Sequence, residues 1–341
     1  MKIHVVLSGY GTVGREFIKL LNEKYSYIYE TYGIRLVVSG VIGRNIAIHN
    51  EGGLSIHDLL IYGSGTTAIE KYLEHYPKER AINGISGTVL VESTVTNLKD
   101  GNPGKKYIKQ AIEKHMDIVA ISKGALVTNW REINDAARTA NVRIRYSGAT
   151  AAALPTLDIG QFSLAGCSIE KIEGILNGTT NYILTKMYEE DMAFEEALKE
   201  AQYKGVAETN PTLDISGSDS ACKLLLLTNS LMKTENTLTD IHIKGIEHIT
   251  KQQIRNAKEK NKFVKLIAAA YKDEEGNVNL HVEPCEIDKD HPLAKVNGTE
   301  KVITFFTDTM GQVTTIGGAS NPRGAAAAAL KDVINLYRKD L

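Results

Sequence analysis

The chain has 341 residues, enough for two domains with separate cores, and its 40 basic and 41 acidic residues nearly cancel. That balance argues against a nucleic-acid footprint or a membrane-binding surface, and no apolar run approaches the roughly 18 residues of a membrane span. Cys167, Cys222 and Cys285 are too few and too scattered for a disulfide framework or a zinc pattern, and the nine histidines form no HxxxH cluster. The expectation is a cytoplasmic protein with reduced thiols and no transition metal.

The first eight residues, Met1 to Ser8, read as an apolar strand that runs into Gly9-Tyr10-Gly11-Thr12-Val13-Gly14 and then an amphipathic helix from Glu16 to Asn22. In that strand–turn–helix order each glycine has a mechanical task. Gly9 permits the tight turn, Gly11 lets backbone approach a pyrophosphate, and Gly14 lets helix and strand pack closely. The helix N-terminus, with Thr12 and Val13 in its first turn, offers unpaired N–H groups and a positive dipole end to phosphate. A second buried strand, Arg35 to Ile42, ends in Gly43-Arg44-Asn45. An NAD site usually places an acid there for the ribose hydroxyls. Arg44 suits a ribose 2′-phosphate instead, so NADP is expected ahead of NAD.

Asn45 to Gly87 is less regular, with a short helix expected near His57 to Leu60. The βα alternation then resumes. Strands are expected at 88–92, 117–121 and 142–146, with helices at 107–115 and 130–140 between them. This rhythm over residues 1–147 fits a doubly wound parallel sheet, an α/β Rossmann domain. Thr94 follows the first of these strands. Ser122 and Lys123 lie just beyond the carboxyl end of the next, where a side chain can face bound cofactor.

After Gly148 the strands cluster, at 169–176, 240–249, 262–271, 278–284 and 302–306. That grouping reads as an α+β domain on a mixed sheet over 148–318, followed by an alanine-rich helix, 325–338, in a tail of 319–341 that packs back on the first domain. Within this half, Asn177-Gly178-Thr179-Thr180-Asn181-Tyr182 joins a strand to a helix. Gly178 and Thr179 there suit either a carboxylate or simple capping. Lys223 sits beside Leu224 to Leu227, four leucines that cover every side of a buried helix. Asp219 is one turn earlier. An exposed pair at that spacing is worth only about 0.3–0.5 kcal/mol, but in an apolar helix the pair needs a polar pocket to serve. Glu208 and Asp214 lie just upstream, and the four groups carry a net negative balance that suits a substrate ammonium. Capping by Asp214 and Asp219 is the plainer alternative.

Taken together, Gly9–Gly14, Ser122-Lys123-Gly124-Ala125-Leu126, Asn177–Tyr182, Glu208–Lys223 and His291-Pro292-Leu293-Ala294-Lys295-Val296-Asn297-Gly298 resemble homoserine dehydrogenases, in order and over essentially the whole chain. The resemblance implies reversible NAD(P)-dependent interconversion of L-aspartate 4-semialdehyde and L-homoserine, and a second domain that binds substrate and makes a homodimer by sheet extension. It implies that Lys123 and Lys223 bracket the reacting oxygen, with Lys223, the more desolvated, as proton donor. Glu208, Asp219 and Asp214 orient the amino-acid end, Gly178 and Thr179 hold substrate, and Thr94 lies near the nicotinamide. Two departures stand out. Where the family carries a Tyr-Glu pair and a glycine-rich turn that hold a monovalent cation, this chain reads Tyr146-Ser147-Gly148-Ala149-Thr150-Ala151-Ala152, which puts the cation in doubt and stiffens the hinge. The second is length: many relatives carry a C-terminal regulatory ACT domain, and with the sequence reaching Leu341 no threonine feedback through one is expected. A reductase of another amino-acid-derived aldehyde and a non-catalytic dinucleotide sensor remain open at this point.

Overall fold

A computed structural model describes residues 1–81, 85–318 and 321–339, so Ala319 and Ser320 of the glycine loop before the last helix lie outside it. The chain divides into two compact units, Met1–Ala152 with Asn321–Leu341, and Ala153–Ser320.

The first unit is built on β1 (Lys2–Ser8), β2 (Arg35–Ile42), β3 (Ala47–His49), β4 (Val89–Glu92), β5 (Asp117–Ala120) and β6 (Ile144–Arg145). All pair in parallel except β3, which turns back antiparallel on β2. Near-continuous apolar runs such as Val89-Leu90-Val91 are buried on both faces, which is why they make central strands. The order β3-β2-β1-β4-β5-β6 reverses direction between β1 and β4, and ligands of such sheets bind outside the strand ends at that switch. The connecting helices are α1 (Thr12–Glu23), α2 (Tyr25–Tyr32), α3 (Ile56–Ile61), α4 (Gly65–His75), α5 (Gly104–Glu113), α6 (Gly124–Thr128), α7 (Trp130–Thr139) and α8 (Ser147–Ala151). The helix expected near His57 is α3. The same stretch also holds β3 and α4, so it is more regular than its composition implies.

The second unit contains α9 (Thr156–Asp158), β7 (Ile169–Ile175), α10 (Gly178–Glu189), α11 (Phe194–Tyr203), α12 (Thr212–Ile215), α13 (Ser218–Leu231), β8 (Ile241–Ile243), α14 (Lys251–Glu259), β9 (Lys262–Lys272), β10 (Val278–Asp288), β11 (Lys301–Thr307) and β12 (Gly311–Gly317). Its sheet, ordered β12-β11-β7-β9-β10-β8, is antiparallel except where β8 runs parallel to β10. Leu224 to Leu227 are all buried, and one buried cluster joins Ile175, Ile267, Leu293 and Val302. The 291–298 segment is tied down by Lys265 on β9, a buried ammonium that donates to Val296 O (2.7 Å), Asn297 Oδ1 (3.0 Å) and Asn181 Oδ1 (3.0 Å).

One expected strand is mostly absent. Of 240–249 only Ile241–Ile243 pairs. Gly245 lies so close to the Ile215 and Ser216 backbone that a Cβ there would collide, and Ile246 N donates to Ile215 O (2.8 Å), which pulls the chain off the sheet. The strand expected at 142–146 likewise shortens to two residues.

The chain ends on α15 (Pro322–Tyr337), which belongs to the first unit. Ala326, Ala329 and Val333 share one core with Leu7, Phe17 and Leu21, small residues letting α15 lie close against α1. Tyr337 Oη donates to Asp117 Oδ2 (2.8 Å) and Arg143 Nη1 donates to Leu336 O (2.6 Å), fixing its far end.

Candidate active site

In the first unit the fingerprint turn is moulded around its glycines. Gly9 has φ 88°, and a Cβ on it would lie 2.6 Å from Ser93 O, so no other residue fits the turn. Gly14 is equally confined, because a Cβ on it would collide with Gly9 O and lie 3.1 Å from Ser93 Oγ. Gly11 is the opposite case, with nothing within 4 Å of its Cβ position, so backbone is open to an approaching ligand. It is the N-cap of α1, where no side chain accepts from the first N–H groups and no acid occupies the first turn. Thr12 and Val13 follow in that turn. An uncapped helix end behind an unobstructed glycine fits a pyrophosphate.

Thr94 comes two residues after β4, and Ser122 and Lys123 come just after β5. All three therefore lie beyond the carboxyl ends of strands on the β4 side of the switch. Ser93 N donates to Ser8 O (2.8 Å) and Ser93 Oγ to Gly9 O (2.7 Å), which binds the Thr94 loop to the fingerprint. Lys123 is the N-cap of α6 and is half-buried. Arg44 is exposed in the turn between β2 and β3.

Ser147 opens α8 and is already engaged. Its N–H donates to Asp332 Oδ2 and its hydroxyl to Asp332 Oδ1, both at 2.8 Å, while Lys331 Nζ donates to Ser147 Oγ (2.9 Å). Burial pushes the Asp332 carboxyl up, and Lys331 and Ser147 pull it back. An ammonium thus stands where a cation would need a ligand, so the residues at this turn do not fit a bound monovalent cation. Among the described residues no group of three His, Cys, Asp or Glu is arranged to hold a metal.

In the second unit, β7 ends against the start of α10, and α13 delivers its charged end to the same place. Asn177 is the hub. Its Oδ1 caps α10 by accepting from Thr180 N (2.9 Å), and its Nδ2 donates to Asp214 Oδ1 (2.7 Å) and Asp219 Oδ2 (2.8 Å). Lys223 Nζ lies 2.6 Å from Asp219 Oδ2 and donates to Leu176 O (2.7 Å). Both members of that pair are nearly buried, with side chains 12% exposed. Burial and the neighbouring Asp219 push the Asp214 carboxyl above its ordinary value, against Asn177 and Lys223. Asp214 and Asp219 thus meet the Lys223 ammonium in one half-buried group around Asn177. Among the described residues Lys223 engages both Asp219 and the Leu176 carbonyl.

Gly178 and Thr179 form the first turn of α10, and Thr179 Oγ1 donates to Val206 O (3.1 Å). Glu208 is exposed in the loop after α11, and among the described residues its carboxylate is not hydrogen-bonded to the group around Asn177. Asn177 itself is the residue that sequence reasoning passed over. It reads as a helix cap, which it is, and only the tertiary structure shows its amide spending both hydrogens on the two acids.

A model of the homoserine dehydrogenase family matches residues 155–334, and a model of the homoserine dehydrogenase NAD-binding domain matches 9–147. The chain is 35% identical to a homoserine dehydrogenase of Methanocaldococcus jannaschii, over 98% of both chains. It is 31% identical to an NAD(+)-dependent homoserine dehydrogenase of Pseudomonas canavaninivorans, over 98% of this chain and 96% of that one. The crystal structure of a homoserine dehydrogenase from Thiobacillus denitrificans superposes with a TM-score of 0.82 at 27% identity, covering 98% of this chain and 73% of the other. With an NAD-binding domain matched in one unit and the family's second domain in the other, this chain belongs to the homoserine dehydrogenase family.

Proposed function

We propose that the chain interconverts L-aspartate 4-semialdehyde and L-homoserine, with NADP as the preferred dinucleotide. The observation that carries the chemistry is the buried Lys223–Asp219 pair, held by Asn177 and the Leu176 carbonyl. The dinucleotide supplies or takes the hydride. Delivery of hydride to an aldehyde makes an alkoxide, and Lys223, oriented by its pairing with Asp219, is the proton donor to that oxygen. Lys123 is the second cation proposed for the same oxygen. Asp214, Asp219 and Glu208 are assigned to the α-ammonium, and the α10 N-terminus at Gly178–Thr179 to the α-carboxylate. Gly9, Gly11, Gly14, Thr12 and Val13 are assigned to the pyrophosphate, and Thr94 and Ser122 to the nicotinamide end.

NADP is favoured by Arg44, exposed just past β2 where an NAD site would carry an acid. NAD is the second reading, because one relative is named as NAD(+)-dependent. The engaged state of Ser147 supports turnover without added sodium or potassium. A homodimer formed through the second unit is proposed as the working assembly, in the cytoplasm. Steady-state oxidation of L-homoserine with each dinucleotide, with and without sodium or potassium, tests the whole reading. Turnover favouring NADP and indifferent to the cation is expected. Turnover only on a different amino alcohol, or dinucleotide binding with no turnover, would replace it.

A further inference from the structure

Glu92, the last residue of β4, is fully buried at 0% exposure and takes no part in the chemistry above. Burial pushes its carboxyl up while hydrogen bonds from Ser122 and Thr94 pull it down, and among the described residues no cation pairs with it. Its Oε1 accepts from Thr94 N (2.8 Å) and from the Thr94 hydroxyl, and its Oε2 accepts from Ser122 Oγ (2.6 Å). Gly104 of α5 walls the same carboxylate, a Cβ there reaching to 3.1 Å of Oε1. A buried acid of this kind is costly to keep, so its partners point to its use. Those partners are the loops after β4 and β5, the two proposed for the nicotinamide end.

A hydroxyl has one hydrogen to give. Once Thr94 and Ser122 spend theirs on Glu92, their oxygens face the rest of their surroundings as acceptors only. Thr94 stands beside Gly9, whose Cβ position is 2.8 Å from Thr94 N, at the switch between β1 and β4. A nicotinamide ring carries a carboxamide NH2, a donor that needs such acceptors.

We propose that Glu92 is a positioning residue, one that turns the Thr94 and Ser122 hydroxyls inward so that both oxygens accept from the carboxamide NH2 of the cofactor. The proposal rests on the placement of the nicotinamide beside these loops, and it is tested by binding alone, without homoserine. A failure of turnover therefore leaves it standing or falling on its own data.

The informative variant is Glu92→Gln. Thr94 gives both its N–H and its hydroxyl to Oε1, so the single amide oxygen is expected there, and the NH2 then faces Ser122 and turns that hydroxyl hydrogen outward. Calorimetric Kd values are compared for three ligands: the oxidised dinucleotide, its 3-acetylpyridine analogue, which lacks the amide hydrogens, and the matching ADP-ribose. The dinucleotide is expected to weaken about fivefold, the worth of one neutral hydrogen bond, with the other two changed by less than about twofold. Ser122→Ala, which leaves Glu92 untouched, is expected to give the same pattern, and Glu92→Gln to add little to it. Equal weakening of all three ligands, no weakening of the dinucleotide, or additive losses in the double variant would overturn the proposal. Should Glu92→Gln fail to fold, the three-ligand pattern of Ser122→Ala decides alone.

Discussion

Asp214 carries an electrostatic burden that the fold alone does not need. Its folded carboxyl is pushed above the ordinary carboxylate value, first by burial and then by Asp219. The unfolded chain therefore loses this proton at lower pH than the folded one, and stability from this group falls as pH rises through that window. Asp214→Asn keeps an acceptor for Asn177 and removes the charge. Urea midpoints across the acid range should show the wild type losing ground to the variant as pH rises, while the KM for homoserine rises at least several-fold. A midpoint difference that stays flat with pH would remove the burden. The acids and lysine of this group were legible as residue types on an apolar helix. Asn177 and Glu92 were not, because one reads locally as a cap and the other as the end of a strand. Each acquires its role through at least one partner thirty or more residues away.

Among elements, the turn after β2 and the turn after α8 carry the sharpest consequences. Arg44→Asp puts an acid where a ribose 2′-hydroxyl would want one and removes the cation a 2′-phosphate would want. The ratio of kcat/KM for NADP to that for NAD should fall by about tenfold or more, given the strength of charge-assisted hydrogen bonds. An unaltered ratio would clear Arg44 of any contact with the phosphate. Ala152 follows α8 with φ 53° and ψ −112°, a conformation that glycine adopts without penalty and alanine does not. Ala152→Gly should relieve about 1–2 kcal/mol of strain, read as a higher thermal midpoint, and a lower midpoint would show that the strain is absent. The strand–turn–helix fingerprint was readable because period and glycine spacing agree there. Helices α2, α4 and α14 were not, since tyrosines, threonines and lysines blur their apolar faces. Strand β12 was hidden by glycines and threonines, and the run after Ile243 looked like strand until the close approach of Gly245 to Ile215 turned it away.

For the whole molecule, the fold class follows from the order of strand and helix signals, and the family comparisons agree with it. The second sheet leaves β12 at its edge, with Ile316 and Met310 exposed along that hairpin. A seven-residue edge strand with apolar side chains favours pairing with another chain. Sedimentation at micromolar concentration should give a homodimer, and Ile316→Lys should shift it toward monomer. A wild-type monomer would withdraw the assembly.

The proposed chemistry turns on Lys223 protonating the alkoxide that hydride transfer creates. It is tested most directly by reducing L-aspartate 4-semialdehyde with the wild type and with Lys223→Ala, while measuring dinucleotide Kd for both. In Lys223→Ala kcat should fall by about 10²–10⁴-fold, the usual worth of a general acid, with dinucleotide Kd unchanged. A variant that turns over at the wild-type rate, or one whose loss is matched by an equal loss of dinucleotide binding, would contradict it.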